Sequence, residues 1–142
     1  MEVDKIFAIL CLIAFSYGIL YFYFTGRTAL KCFPKLDLNK VKFRERNASG
    51  YSNKNWQSRI GGASNFLDVI IIESELWVKS PVLFAGIIHD LINRIRINQI
   101  QSLEKIGENV RIKFRNEENE MTEIVLTLKN PNKFIQILDQ KD

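Results

Sequence analysis

From Ile6 to Phe24 the chain carries 19 consecutive residues without a charge, and no second run of that kind follows it. As a helix rising about 1.5 Å per residue it is roughly 28 Å long, close to the hydrocarbon thickness of about 30 Å. In lipid a helix is the conformation that satisfies every backbone N–H within one segment. Tyr17, Tyr21 and Tyr23 bunch towards one end, where an aromatic belt meets the headgroups. Beyond Phe24 the pattern breaks up into short alternations of apolar and polar positions, the signature of strands with one face in a core.

Residues 25–39, with mixed charge and Pro34, read as a linker. Val41–Arg44 alternates as a first strand, and Asn47–Asn55, rich in Asn, Ser and Gly, reads as a loop. Trp56–Ile60 is a short strand ended by Gly61 and Gly62. Phe66–Ile72 is the strongest strand, and after the polar turn Glu73–Glu75 the segment Leu76–Lys79 returns as its hairpin partner. Pro81–Leu91 is unusually apolar for a connection. Asn93–Ile97, Gln101–Ile106, Val110–Arg115 and Thr122–Leu128 follow as strands, with an acidic loop at Asn116–Glu120. The period then changes: Asn130 is an N-cap, Pro131 takes the first helical position, and Phe134, Ile137 and Leu138 form one apolar stripe. The fold class is therefore α+β, mainly β: a membrane-spanning helix, a bent antiparallel sheet or barrel, and a C-terminal capping helix. Its divisions are a tail at 1–5, the span at 6–24, a basic juxtamembrane linker at 25–39 and a β domain at 40–142.

Charge adds an orientation. Only Lys5 precedes the span, with Glu2 and Asp4 beside it, whereas Arg27, Lys31 and Lys35 follow it closely. This bias places the C-terminal part in the cytoplasm, and the expected location is a bacterial inner membrane crossed once. A cleaved signal peptide is the competing reading, but the apolar core is too long, the preceding residues are barely basic, and Thr25–Ala29 makes a poor cleavage site. Nine cations against two acids lie between Arg27 and Arg59, a net of +7. Beside a membrane each cation is worth about 1 kcal/mol of attraction to anionic headgroups. The bilayer itself and anionic lipid are thus expected partners, and nucleic acid is not. Cys11 lies inside the span and Cys32 beyond it, so no disulfide framework or metal spacing exists, and no metal or cofactor is expected.

The arrangement resembles the pleckstrin-homology (PH)-like superfold, and in particular small bacterial PH-like or GRAM-like membrane proteins. The resemblance covers about Lys40 to Gln140. It rests on Ser49–Asn53 and Arg59–Asn65, on the hairpin Leu67–Ile70 to Leu76–Val78, and on Arg94–Ile100 leading to Leu126–Pro131 and Phe134. That superfold hosts lipid-binding, protein-binding and purely structural members; because the anchor already holds the domain at the membrane, the expectation is a binding or scaffolding module with a protein partner. The basic cluster of lipid-binding members in the first hairpin loop is reduced here to Lys54 and Arg59, so phosphoinositide recognition does not carry over.

Candidate sites are few. Tyr51, Ser52, Asn53, Arg59, Gly61, Gly62 and Asn65 combine freed backbone N–H groups with one arginine and suit a phosphate or carboxylate. The plainer alternative is a bulge and a long loop tied down by its own side chains. His89 and Asp90 adjoin, but this is the one histidine of the chain and no nucleophile is spaced for it, so local hydrogen bonding is the expectation and catalysis is not. Asp68 either faces outward or pairs with an arginine. Val82, Leu83, Phe84, Ile87 and Ile88 form an apolar segment with three readings: a cap on the core, a shallow membrane insertion or a protein contact. A secreted or periplasm-facing domain in an envelope complex is the alternative function.

Overall fold

The long apolar stretch folds as one continuous helix, α1 (Glu2–Leu30), which runs past both ends of the uncharged run. Glu2 and Asp4 in its first turn and Arg27 in its last complement the helix dipole. Thr25 and Thr28 return their hydroxyls to the carbonyls of Tyr21 and Phe24 at 2.9 and 3.0 Å, so both side chains are satisfied within the helix. The computed structural model describes residues 2–54 and 62–140. Among them α1 is the one helix long and apolar enough to cross a membrane. Its side chains are laid open along most of its length, Phe7 being 68% and Leu12 65% exposed. An apolar surface of that size is not tolerated in water and calls for lipid or another apolar cover.

Among the described residues seven strands follow: β1 (Val41–Ser52), β2 (Ala63–Ile72), β3 (Glu75–Lys79), β4 (Asn93–Arg96), β5 (Ile100–Ile106), β6 (Asn109–Arg115) and β7 (Met121–Thr127). They form a single antiparallel sheet in the order β4-β3-β2-β1-β7-β6-β5. β1 is the shared strand, pairing with β2 from Val41 to Gly50 and with β7 from Ser49 to Ser52. The stretch Asn47–Ser52, expected to be loop, is therefore strand. Asn47 adopts φ +61°, and the register slips between Glu45 and Ala48, so a bulge bends β1 from one half of the sheet into the other. Pairing on both sides overrides the weak strand preference of Asn, Ser and Gly.

The two edge strands must lie near each other. A flat seven-stranded sheet would hold β4 and β5 about 29 Å apart at roughly 4.8 Å per strand. Only the short 3-10 turn Ile97–Gln99 joins them, and three residues reach about 10 Å. The sheet is therefore strongly curled, with an open corner where its edges approach.

Inside the curl lie Leu67, Val69, Ile71, Leu76, Val78, Ile95, Val110, Ile112, Ile124 and Leu126, all buried. The C-terminal helix, labelled α3 (Pro131–Asp139), closes it with Phe134 and Leu138. The rings of Phe134 and Phe43 meet edge to face at 5.4 Å. Asn130 holds the N-cap position, but its side chain makes no capping bond. The buried carboxylate of Glu45 instead accepts the backbone N–H of Lys129 at 2.6 Å and of Asn130 at 3.3 Å. A second apolar cluster of Ile70, Ile72 and Trp77 lies on the other face of the sheet, covered by Phe33, Leu36 and Val41. Both faces of β2 are thus dry, which explains its unbroken apolar ending.

The apolar connection contains a short helix, labelled α2 (Val82–Ile87). Its residues divide among different tasks. Ala85, with Ile88, Leu91 and Ile92 just beyond, joins the core, while Leu83, Phe84 and Ile87 stay exposed.

Candidate functional site

Of the residues nominated as an anion site, Tyr51, Ser52, Asn53, Gly62 and Asn65 lie at the far ends of β1 and β2, where they bond chiefly to the fold. Ser52 is fully buried, and its hydroxyl accepts the N–H of Lys54 at 3.3 Å. The backbone N–H of Asn53 reaches the Glu123 carbonyl at 3.0 Å, and its side-chain amide donates to the Glu123 carboxylate. Asn65 sits at φ +60° with its N–H on Ser49 Oγ at 3.0 Å. Gly62 lies so close to β1 that a Cβ there would be 2.5 Å from the Gly50 carbonyl oxygen and 2.8 Å from the Tyr51 Cβ. Tyr51 pairs with Val125 of β7. Arg59 and Gly61, with the expected strand Trp56–Ile60, lie outside the described residues.

A more elaborate constellation joins α1 to the domain, and sequence reasoning did not single it out. Val82 of α2 approaches Gly26 so closely that a Cβ at Gly26 would collide with the Val82 carbonyl. Four residues on in each direction, a Cβ at Gly86 would lie 2.9 Å from the Phe22 carbonyl carbon. The two helices therefore run antiparallel, backbone against backbone, as small residues allow in apolar surroundings. Gly26 is the one buried residue of α1.

The segment after α1 continues this attachment. Phe33 packs on Trp77 with ring centroids 5.6 Å apart, and Lys79 Nζ lies 5.4 Å from the Phe33 centroid and 5.8 Å from that of Trp77. Arg94 grips Glu75 through both carboxylate oxygens at 2.8 and 2.9 Å and donates a third bond to the Cys32 carbonyl at 3.1 Å. Trp77 Nε1 also donates to Glu75 at 2.8 Å. The hydrogen bond from Arg94 holds the Glu75 carboxyl below its ordinary value, and the same bond raises Arg94. Partial burial pushes the neighbouring Cys32 thiol up. Residues 31–36, expected as linker, are a strap laid across the outer face of β2, β3 and β4.

Asp68 meets an arginine, as one of its two sequence readings had it. Arg44 donates to both of its oxygens, at 3.0 and 2.6 Å, and Arg44 is raised by that bond. This pair lines a cleft of about 350 Å³ with Arg46, Phe66, Lys79 and Pro81, beside α2. A second cleft, about 410 Å³, lies at the corner between the sheet edges and α3 and is lined by Lys42, Glu73, Arg96, Asn98 and Gln140. The basic residues Arg27, Lys31 and Lys35 are exposed. His89, 60% exposed, is 3.1 Å from the Asp90 carboxylate and flanks a shallow groove along Tyr17, Tyr21 and Phe24. Among the described residues no three His, Cys, Asp or Glu side chains converge as metal ligands would.

A third feature is the outer edge of β5. It pairs with β6 on one side, and among the described residues no backbone hydrogen bond engages the other. A cleft of about 180 Å³ runs beside it, lined by Ile97, Ile100, Gln101, Ser102, Leu103, Leu138 and Asp139. In comparison with known proteins, no family model and no curated protein matches this chain.

Proposed function

We propose that this protein is a single-pass membrane-anchored binding and scaffolding module, built on a PH-like β domain in the cytoplasm and directed at a protein partner. The strand order and the helix over the open corner support the PH-like reading. The junction supports an uncleaved anchor, because a cut after Phe24 would sever α1 where Phe22 and Gly26 pack on α2. The observation that carries the protein-facing reading is the unpaired edge of β5 with its neighbouring cleft. An exposed strand edge offers backbone donors and acceptors to an extended peptide, and a cleft alongside supplies side-chain selectivity. Anionic headgroups then contribute only weakly, through exposed Arg27, Lys31 and Lys35.

A photo-crosslinking side chain placed at Gln101 in cells tests this. The expected product is an adduct with one protein of defined mass that survives high salt. Crosslinks to lipid alone would point to a lipid-facing module instead. A reporter fused at Asp142 decides between a cytoplasmic domain and the outward-facing alternative.

A further inference from the structure

We propose that α2 is a membrane-seating element, its outer face of Leu83, Phe84 and Ile87 resting in the headgroup–acyl boundary of the bilayer that α1 crosses. This deepens the membrane reading above and rests on it. Leu83 and Phe84 are 44% exposed and Ile87 is 55% exposed, while Ala85 and Gly86 on the opposite side are buried. Such a face needs a cover, and its height identifies one.

Val82 lies at the level of Gly26 and Gly86 at the level of Phe22, so α2 descends alongside α1 towards the apolar stretch. Phe22 is two residues inside Phe24, the last of that stretch, or about 3 Å at 1.5 Å per residue. Ile87 therefore reaches shallowly into the layer about 5–10 Å deep where interfacial helices lie. Exposed apolar residues of α1 and of α2 thus stand at neighbouring levels where Gly86 meets Phe22. Phe66 extends the α2 face, stacked on Phe84 with centroids 4.3 Å apart and planes 24° from parallel.

Charge fits the same occupant. Arg27 follows Gly26 directly, and exposed Arg46 shares a cleft with Phe66 and Pro81. Cations rimming an apolar face suit anionic headgroups above acyl chains. His89, just after α2, stands beside Tyr21 and Phe24, at the level of the tyrosine belt where headgroups meet the span. A protein docked on α2 would impose no reason for its face to stand level with the end of the span.

The test uses the full-length chain with Cys11→Ser and Cys32→Ser in phosphatidylcholine–phosphatidylglycerol vesicles. A spin label is attached at Phe84→Cys or Ile87→Cys, with Leu12→Cys in α1 and exposed Ile106→Cys as references. Labels at 84 and 87 are expected to favour oxygen over a water-soluble nickel chelate, at a depth between the two references. Nickel access at 84 and 87 equal to that at 106, with 12 still protected, overturns the seating while leaving the anchor intact. Nickel access at position 12 as well brings down the membrane reading and the seating with it. Dipolar broadening at 84 that disappears on dilution with unlabelled chain identifies a second copy as the cover, and also overturns the proposal.

Discussion

Two pairs of glycines bring backbones into close approach, and they join very different things. Gly50 and Gly62 meet where β1 and β2 lie side by side, so their contact closes a hairpin within the domain. Gly26 and Gly86 come from separate elements, and their contact fixes the long apolar helix to the domain. The first pair lies in the segment that looked most like a ligand loop; the second attracted no notice in the sequence. A glycine announces that something comes close. What comes close is decided by the fold.

The sharpest way to break this comparison is to enlarge Gly86. Gly86→Leu should separate α1 from α2 and lower stability by about 3 kcal/mol, the scale of severe overpacking. Chemical denaturation of the detergent-solubilised protein, with proteolysis across residues 25–36, measures it. An unchanged midpoint and cleavage pattern would remove the helix contact from the folded protein.

Glu45→Ala comes next. It leaves the N–H groups of Lys129 and Asn130 without their carboxylate acceptor, at a cost of about 1–3 kcal/mol. The loss should appear as earlier exposure of α3 in hydrogen exchange, with the α1–α2 contact unaffected.

The strap gives a smaller, pH-dependent effect. Arg94 holds Glu75 below its ordinary value of 4.5. The pair therefore stabilises fully above that value, and the contribution is lost as pH falls through the lowered folded-state value. Acid should release residues 31–36 to protease first. Glu75→Gln should cost roughly 1 kcal/mol at neutral pH and flatten this dependence; an unaltered acid profile in the variant would assign the release to another group.

The smallest expected change is at the hairpin end. Ser49→Ala removes the hydroxyl that accepts the Asn65 N–H at 3.0 Å and donates weakly to its Oδ1 at 3.4 Å, and should cost about 0.5–1 kcal/mol. A loss beyond that of Gly86→Leu would reverse the order of the two regions.

Much of the architecture was legible one element at a time. The apolar run, the alternation at Val110–Arg115 and Thr122–Leu128, and the apolar stripe on the last helix are local periodicities, and local periodicity survives folding. Asn47–Ser52 was misread because its residues favour turns, whereas two neighbouring strands recruit it as the bend of β1. Residues 31–36 carry no period at all, so nothing local distinguished a strap from a loose linker. Of the nominated site, Ser52, Asn53, Gly62 and Asn65 lie at one end of β1 and β2, and the bonds they make are mostly to Lys54, Glu123 and β1.

The sequence by itself determined that one helix is apolar enough to span a membrane, that a mainly antiparallel β domain follows, and that a short amphipathic helix ends it. Those properties depend on the order of apolar and polar side chains within a few turns or strands. Only the tertiary structure decided that the sheet curls until its edges approach, that Arg94 and Trp77 bind the segment after α1, and that α2 stands against Phe22 and Gly26. These depend on contacts between residues far apart in the chain, whose pairing no local pattern encodes.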